Sequence, residues 1–437
     1  MYFLLLSGGS GKRLWPLSND IRSKQFLKIY KRDDGSYESM VQRVFRQIKS
    51  VDPEAKITIA TSKSQVSAIR NQLGNEVSLS VEPARRDTFP AISLGVTFIH
   101  KMLHADESDA VVVCPVDHFV DDSYYLVAKR MAEEALRDDV DLALMGINPS
   151  YPSDKYGYII PYGENNVEYV RQFKEKPTQD LAKKYIEDGA LWNAGVFAFR
   201  IKYIIDLARR NFGTADYHEL FLSYPKLDRI SFDYAVVEKA NSIRVIRYGG
   251  KWRDIGSWSM LTKTMTDVTV GNVVFDKTCE NSHVINNLDI PIICMGLKNI
   301  TVAASPDGIL VSDNYAADQI KGHVENLNND VMFAEKSWGD FHVIDVSSHS
   351  LTIKVTMRAN DNMSYHSHDH RDEVWTVVSG KGKAIVDGIE QYVEAGDVIT
   401  IQAGCKHTIF SITDLVIIEV QLGKDISASD KHKYQMP

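Results

Sequence analysis

A change in the strand pattern near Gly271 is the sequence feature that most limits how this chain can fold. Up to about Trp258, short apolar runs alternate with stretches of helical spacing, which predicts a largely parallel sheet with crossover helices. The predicted strands of this part are Tyr2 to Leu6, Ile57 to Ala60, Ala110 to Val113 and Leu142 to Ile147. The clearest predicted helices are Lys129 to Leu136 and Gln179 to Ile186.

From Gly271 to Ile320 the pattern consists of brief strands, broken by Asn, Asp, Pro and Gly every few residues. Such strands without intervening helices predict a stacked parallel β-helix coil or a small sheet. After a polar linker at 326–330, alternating strands continue through Val420, as is typical of an antiparallel barrel. We therefore expect three domains, at 1–264, 265–332 and 333–437, since 437 residues exceed what one core usually fills.

Composition excludes several classes of protein. The net charge of −8 gives no positive field that would gather nucleic acid or anionic lipid. The four cysteines form no CxxC pair, which argues against a disulfide framework or a thiolate zinc site and fits a reducing cytosol. No apolar run is long enough to span a membrane, and the apolar start lacks the basic region of a signal peptide. We expect a cytoplasmic protein that binds neither nucleic acid nor membrane.

A glycine-rich segment follows the first predicted strand, and residues 4–18 read LLLSGGSGKRLWPLS. Because glycines lack a Cβ, backbone N–H groups around Gly8, Gly9 and Gly11 could approach a phosphate chain closely. The cations of Lys12 and Arg13 could then hold phosphate oxygens. An ordinary turn is the alternative for the glycines alone, and the segment matches neither the Walker nor the dinucleotide-binding pattern.

With SKQFLKI after it, this segment resembles the signature of the nucleotide-sugar pyrophosphorylases, in particular the bacterial mannose-1-phosphate guanylyltransferases. Further motifs match that family in order, which chance would hardly supply: EPARRDTFPAI (82–92), CPVDHFV (114–120), YGYI (156–159), FKEKP (173–177), WNAGVFAF (192–199), SFDYAVVEK (231–239) and KWRDIGSW (251–258). The resemblance implies an α/β protein whose Rossmann-like nucleotidyltransferase domain transfers GMP from GTP to mannose 1-phosphate, giving GDP-mannose and pyrophosphate.

The resemblance also implies roles for single residues. Mg²⁺ would be held by Asp117, at the end of the apolar strand AVVVCPVD, and by its distant partner Asp254. These two, with Arg13 and Lys24 on the triphosphate, are the predicted catalytic residues of this domain. The predicted nucleotide-binding residues are Leu6, Gly8, Gly9, Gly11, Lys12, Arg13, Glu82, Arg86, Asp87, Thr88 and Asp117. The predicted sugar-phosphate-binding residues are Gly157, Tyr158, Glu175, Lys176, Asn193 and Asp254.

Alternatives remain for some of these residues when they are taken singly. An aspartate is more often a helix cap or turn residue than a metal ligand, and a lone lysine is usually solvated. Asp87 stands where the family usually has asparagine. A carboxylate there could accept hydrogen bonds from guanine, cap a helix, or pair with Arg85 or Arg86.

A second site is predicted near the carboxyl terminus, where residues 365–380 read YHSHDHRDEVWTVVSG and residues 396–408 read GDVITIQAGCKHT. This spacing resembles the two cupin motifs and gives a ligand set of His366, His368, Glu373 and His407. Strand alternation puts His366 and His368 on one face. Imidazole nitrogens together with a carboxylate suit Zn²⁺ or a similar ion.

RDEVWTVVSG, with KSWGDFHVI (336–344) and EVQLG (419–423), resembles the mannose-6-phosphate isomerase half of the bifunctional, type II enzymes. The resemblance implies a C-terminal cupin β-barrel that interconverts fructose 6-phosphate and mannose 6-phosphate, in which a metal and Arg371 stabilise the developing oxyanion. His370 is a candidate base if it faces the cavity. The family usually has glutamine, histidine, histidine and proline where this chain has His366, Asp369, Val374 and Gln402. A metal-binding cupin with a structural role, or with another sugar as substrate, is therefore the alternative.

Two alternatives also remain for the whole chain. It could be a nucleotidyltransferase for another hexose 1-phosphate or base, or a regulatory sugar-nucleotide sensor with an inert transferase. The presence of both Asp117 and Asp254 argues against the sensor. SPDGILVSDNYAADQIKG (305–322) resembles the family's short β-helix connector, often used for subunit contact, and implies a homodimer. The leading hypothesis is an enzyme that supplies GDP-mannose for polysaccharide biosynthesis.

Overall fold

The computed structural model describes residues 1–8, 12–19, 22–325, 327, 331–424, 426–427 and 429–436. The chain separates into two compact units. The first consists of Met1–Ser10, Lys24–Val66 and Leu73–Thr266. The second consists of Gly11–Ser23, Ser67–Gln72 and Asp267–Pro437. Two short early segments of the chain thus belong to the unit that contains its carboxyl-terminal part.

The first unit contains a nine-stranded mixed sheet. In spatial order its strands are β5 (Ser78–Glu82), β4 (Lys56–Ser62), β1 (Tyr2–Leu6), β6 (Ala110–Pro115), β11 (Leu191–Arg200), β8 (Leu142–Ile147), β12 (Ile243–Tyr248), β10 (Val167–Lys174) and β9 (Tyr158–Pro161). Two short antiparallel pairs accompany it: β2 (Tyr30–Lys31) with β3 (Tyr37–Glu38), and β7 (His118–Val120) with β13 (Trp252–Asp254).

The prediction of a largely parallel sheet is confirmed for β5, β4, β1 and β6 and for the pair of β8 and β12. It is wrong for β11, which runs antiparallel to both β6 and β8, and for the antiparallel β9 and β10. For β9 and β11 the physical reason is that a strand buried along most of its length is apolar throughout, whatever the direction of its neighbours. β10 is only partly buried, and its direction is set by its pairing with β9 and β12.

The described helices have the following bounds: α1 (Met40–Val51), α2 (Val66–Leu73), α3 (Thr88–Met102), α4 (Ser123–Ala135), α5 (Gln179–Glu187), α6 (Ile201–Phe212), α7 (Tyr217–Ser223), α8 (Phe232–Ala235), α9 (Trp258–Thr262) and α10 (Lys321–Val324). Short 3₁₀ turns occur at Lys12–Leu14, Lys24–Phe26, Lys63–Gln65, Tyr224–Lys226, Val237–Lys239 and Ala316–Gln319. Helix α3 lies close on β1 because Gly95 has no side chain, and a Cβ there would approach the Leu4 side chain to 2.6 Å.

The first strands of the second unit form a small β-helical coil. Its strands are β14 (Thr269–Val270), β15 (Val273–Phe275), β16 (His283–Asn286), β17 (Ile292–Cys294), β18 (Ile300–Ser305) and β19 (Gly308–Asp313). β14, β16 and β18 stack in parallel, as do β15 and β17, while β19 returns antiparallel to β18. Val284, Cys294 and Val302 form its buried centre. The predicted connector coil is confirmed.

The remainder of the second unit is an antiparallel barrel of two facing sheets. One contains β20 (Phe333–Lys336), β21 (Gly339–Val346), β22 (Ser350–Met357), β29 (Leu415–Gly423), β24 (Arg371–Ser379) and β27 (Val398–Ile401). The other contains β26 (Ile389–Glu394), β25 (Lys381–Val386), β28 (His407–Ser411), β23 (His366–Ser367) and β30 (His432–Lys433). Trp375, Ile409 and Leu415 belong to the shared core. The predicted cupin-type barrel is confirmed.

None of the helices in the described part of the chain combines the length and the apolar character that crossing a lipid bilayer requires.

Candidate functional sites

A cavity of about 730 Å³ lies where the parallel strands of the first unit end. Leu6, Ser62, Glu82 and Pro115 are the last residues of β1, β4, β5 and β6, and all four line it. Ligands of open α/β sheets bind at this edge, outside the carboxyl ends of the strands. Of the residues predicted to bind nucleotide, those that line the cavity are Leu6, Gly8, Glu82, Arg86, Asp87, Thr88 and Asp117.

Four of the predicted nucleotide-binding residues are not among the described residues that line the cavity. Gly9 and Gly11 lie outside the described residues. Lys12 and Arg13 belong to the 3₁₀ turn Lys12–Leu14 of the second unit, where Arg13 is exposed. Two cationic side chains that were not predicted also line the cavity, those of Lys63 and Arg229. Neither stands in a motif that the resemblance covers, so the sequence carried no signal for them.

The segment from Glu82 to Thr88 lines one side of the cavity. The Tyr224 hydroxyl donates to Glu82 Oε2 at 2.7 Å, and burial raises the pKa of Glu82 against the opposing effect of that hydrogen bond. Asp87 is the N-cap of α3 and accepts from the Thr88 backbone N–H at 2.7 Å, with a strained φ of 69°. Of the alternatives for Asp87, the structure contains the helix cap. Guanine binding by this residue stays a prediction.

Lys24 lies directly against Asp117. Its Nζ is 2.9 Å from Asp117 Oδ2 and donates to the Ile255 carbonyl at 2.5 Å. Burial alone would raise the pKa of Asp117, but the positive charge of Lys24 lowers it, and the net shift is downward. Asp117 is therefore a carboxylate at neutral pH, as a metal ligand must be.

Asp117, His118 and Asp254 form a cluster whose candidate ligand atoms lie within 4.8 Å of one another. The pairing of β7 with β13 places Asp254 opposite His118. Burial lowers the pKa of His118, and its Nδ1 accepts from Trp252 Nε1 at 3.3 Å. A neutral imidazole that accepts at Nδ1 carries its proton on Nε2, so His118 is a donor rather than a ligand. The two carboxylates fit a hard divalent ion, which takes one or two of them together with substrate oxygens.

Of the residues predicted to bind the sugar phosphate, four lie together in the first unit, namely Gly157, Glu175, Lys176 and Asn193, whereas Asp254 lies in the cluster with Asp117. Gly157 lies against Glu175 and Phe173, where a Cβ would come within 2.6 Å of Glu175 Oε2 and 2.8 Å of the Phe173 ring. Lys176 Nζ is 2.7 Å from Glu175 Oε1, and Asn193 donates its backbone N–H to the Gly157 carbonyl at 2.8 Å. The Tyr158 hydroxyl accepts from Trp192 Nε1 at 3.0 Å and from the Ser153 backbone N–H at 2.9 Å, and the side chain is fully buried. Contact of Tyr158 with a sugar phosphate stays a prediction.

The predicted metal ligands of the second unit also come together. The ligand atoms of His366, His368 and His407 lie within 4.8 Å of one another, and Glu373 lies 3.1 Å from His368 Nε2 and 3.3 Å from His407 Nε2. The Nδ1 atoms of the three histidines face the backbone carbonyls of Ser364, Asp430 and Cys405.

An imidazole that donates Nδ1–H to a carbonyl presents an unprotonated Nε2, the form that binds a metal. His407 Nε2 is buried and, among the described residues, has no hydrogen-bond partner of acceptable geometry. Glu373 is 2 % exposed, so its carboxylate lies beside the imidazoles and away from bulk water. The donor set therefore fits a divalent metal ion.

Arg371 and His370 differ in their surroundings. Arg371 is buried, lies 3.0 Å from His368 Nε2 through Nη2, and donates from Nε to Glu373 Oε1 at 3.3 Å. It lies beside the predicted ligands, and its catalytic role stays a prediction. His370 is exposed, which argues against the conditional prediction that it is the base. Glu419, which the sequence analysis did not single out, is buried, and burial followed by the charge of Glu373 raises its pKa to about 8.

Comparison with known proteins gives matches to both parts of the chain. A nucleotidyl transferase family model matches residues 2–270, and a model of the mannose-6-phosphate isomerase C-terminal family matches residues 324–435. The mannose-1-phosphate guanylyltransferase of Escherichia coli K12 is 30% identical over 475 residues, covering 98% of this chain and 97% of the relative. The xanthan biosynthesis protein XanB of Xanthomonas campestris is 28% identical, covering 99% and 97%.

A solved structure is also similar. The crystal structure described as a mannose-1-phosphate geranyltransferase from Thermus thermophilus superimposes with a TM-score of 0.61 at 28% identity. The match covers 74% of this chain and 98% of that one.

Proposed function

This chain belongs to the nucleotidyl transferase family and is similar over its full length to mannose-1-phosphate guanylyltransferases, and from this we propose that its first unit transfers GMP from GTP to mannose 1-phosphate. The products are GDP-mannose and pyrophosphate. The observation that carries the proposal is the cavity at the strand ends, with Asp117 in its wall and with Lys24 and Asp254 against that carboxylate.

In the proposed reaction, a phosphate oxygen of mannose 1-phosphate attacks the α-phosphorus of GTP, and the bond to the bridging oxygen of the leaving pyrophosphate breaks. Because two anions must approach each other, the site has to supply positive charge and alignment rather than a covalent intermediate. Asp117 and Asp254 would hold Mg²⁺, which neutralises phosphate charge when it is bound. Lys24 holds Asp117 in place at 2.9 Å, and Arg13 is proposed to hold the triphosphate.

Nucleotide and sugar would be bound by different parts of the first unit. Glu82 and the segment up to Thr88 are proposed to take the guanine base, because carboxylates accept from its N1–H and N2–H₂ edge. Lys176 would hold the phosphate of the sugar as a mobile point charge, with Glu175 and Asn193 on its hydroxyls.

For the second unit we propose isomerisation of mannose 6-phosphate and fructose 6-phosphate. His366, His368, Glu373 and His407 would hold a divalent ion such as Zn²⁺, which polarises the substrate oxygens when it is bound. The Arg371 guanidinium lies beside these ligands and could stabilise the negative charge of an enediolate.

We also propose a homodimer and a cytoplasmic location. A homodimer fits the connector, where Val274 and Ile293 are paired on neighbouring strands and are 55% and 66% exposed. A cytoplasmic location fits the four free cysteines, since disulfides persist mainly in oxidising compartments. The GDP-mannose formed would supply polysaccharide biosynthesis, the process named for the Xanthomonas relative.

The test is to incubate the purified protein with GTP, mannose 1-phosphate and Mg²⁺, to measure pyrophosphate release, and then to replace each substrate in turn. We expect Asp117→Ala to lower the transferase rate at least about a hundredfold, as removal of a charge-stabilising group commonly does. The same variant should keep its isomerase activity, whereas His368→Ala should do the reverse. Loss of both activities in either variant would contradict separate sites, and faster turnover of another sugar or base would change the proposed substrate.

A further inference from the structure

Asp233 lies beside the proposed sugar-phosphate-binding residues without having been assigned a role. It belongs to the short helix α8, and its Oδ1 accepts from Asn193 Nδ2 at 2.7 Å. Helix α8 is held in turn by Thr88, whose hydroxyl oxygen accepts from the Phe232 backbone N–H at 2.8 Å. The carboxyl group of Asp233 is thus fixed in place next to Asn193.

The carboxamide of Asn193 is fixed at both of its ends. Strand β11 shifts its register between Asn193 and Phe197, and Gly195 adopts a φ of 67° there. This turn brings the Gly195 backbone N–H to Asn193 Oδ1 at 3.0 Å, while Asp233 takes the amide end. One N–H of Asn193 Nδ2 then remains for a ligand, and its direction depends on the bond to Asp233.

Charged and polar side chains of neighbouring segments act on Asp233. They are Glu175 and Lys176, on the turn after β10, and Asn193, on β11. Burial first, and then the negative charge of Glu175, raise the pKa of Asp233 to about 7, while Lys176 and Asn193 oppose the shift. Near neutral pH this carboxyl group therefore changes between a neutral form and an anion beside a second carboxylate.

We propose that Asp233 is a positioning residue of the sugar-phosphate site, which orients Asn193 and limits the negative charge that faces an incoming hexose phosphate. The inference rests on the proposed function. Because the sugar phosphate is an anion, an ionised Asp233 beside Glu175 repels it. Binding of mannose 1-phosphate should therefore weaken as the pH rises through about 7, whereas binding of GTP should not follow this titration.

The experiment compares wild type with Asp233→Leu, Asp233→Asn and the control Asp180→Asn, which changes an exposed carboxylate on α5. KM for mannose 1-phosphate, KM for GTP and kcat are measured from pH 6 to pH 8. Asp233→Leu removes the acceptor and should raise KM for mannose 1-phosphate about tenfold, the size of one lost hydrogen bond, with KM for GTP and kcat within about twofold. The control should match wild type.

Asp233→Asn provides the sharper comparison, because its side-chain oxygen can still accept from Asn193 but cannot ionise. It should have the wild-type KM for mannose 1-phosphate at pH 6 and lack the wild-type increase toward pH 8. If Asp233 had only a structural role, the variants would have a lower unfolding temperature, but the pH dependence of KM for mannose 1-phosphate would be the same in Asp233→Asn and wild type. The proposal is overturned if Asp233→Leu leaves KM for mannose 1-phosphate unchanged or raises both KM values alike, or if Asp233→Asn keeps the wild-type pH profile.

The two proposals can fail separately. If wild type releases no pyrophosphate, the proposed function fails, and the same variants are then compared by calorimetry with mannose 1-phosphate alone. Weaker binding by Asp233→Leu in that titration supports the role of Asp233 without the transferase. Equal binding by wild type and Asp233→Leu, or none by wild type, overturns it.

Discussion

Tyr224 sets the state of a carboxyl group in the wall of the nucleotide cavity. It is fully buried, and its hydroxyl donates to Glu82 Oε2 at 2.7 Å. Burial raises the pKa of Glu82, and this hydrogen bond limits the increase because it favours the charged form. If Glu82 reads the donor edge of guanine, it must be ionised when the nucleotide binds.

We therefore predict that Tyr224→Phe raises KM for GTP about fivefold, because one hydrogen bond to the carboxylate is lost. Loss of the donor also raises the pKa of Glu82 further. As the pH falls, the variant should then lose GTP affinity at a higher pH than wild type does. KM for GTP measured between pH 5 and 8 checks both effects. Tyr217→Phe is the control, since Tyr217 packs in the same cluster as Tyr224. If KM for GTP rises on acidification at the same pH in Tyr224→Phe as in wild type, the role given to Glu82 is contradicted.

Individual residues differed in how far the sequence could predict them. Glu82, Asp87 and Asp117 stand in motifs of the resembled family, and they line the cavity. Tyr224 lies outside those motifs, and Asp233 lies inside one. The importance of both comes from partners 142 and 40 positions away in the chain. Such contacts depend on the finished fold, so spacing along the sequence contains no trace of them.

At the scale of elements, the sequence predicted where strands and helices lie better than it predicted their directions. β1 and β8 have the predicted bounds, and α4 contains the helix predicted for Lys129 to Leu136 except its last residue, which is the C-cap. Strand β11 is buried along most of its length, as β6 is, so nothing in its composition distinguishes an antiparallel from a parallel strand. The connector was predictable because polar breaks recur at each turn of its coil, whereas its contacts with residues 12–19 were not.

Those contacts join the segment after Gly11 to the connector within the second unit. Trp15 lies against Gly308, Ser305 Oγ donates to the Pro16 carbonyl at 2.6 Å, and Asn19 Nδ2 donates to Asp307 Oδ2 at 2.7 Å. Gly308 allows this approach because it has no side chain and adopts a φ of 147°, where a Cβ would meet the Trp15 ring at 2.5 Å.

Gly308→Ala should therefore lower the free energy of unfolding by about 1–3 kcal/mol, the usual cost of forcing an added carbon into a packed contact. Thermal unfolding followed by circular dichroism measures the change. The matched control is Gly322→Ala in helix α10, where an added Cβ would meet no described atom within 4 Å. Equal stability of the two variants would show that the Trp15 contact contributes little.

At the scale of the whole molecule, the compact units and the order of the chain do not coincide. Gly11–Ser23 carries Lys12 and Arg13, which we propose bind phosphate, yet this segment belongs to the second unit together with the connector. Leu14 and Leu17 are 1% and 0% exposed. A chain that ended near residue 266 would lose the connector residues that hold this segment, although the residues lining the cavity would all be present.

We predict that a chain of residues 1–266 loses at least about 90% of its transferase kcat/KM for GTP, because Arg13 is then carried by a segment whose packing partners are absent. That loss corresponds to about 1.4 kcal/mol of transition-state stabilisation. A chain of residues 1–325 keeps the connector and α10, which packs against the turn Lys12–Leu14, and should keep most of the activity. Full-length His368→Ala is the control for loss of the barrel site alone. Equal pyrophosphate release by the two truncated chains would mean that the connector does not support the segment, since they differ in residues 267–325.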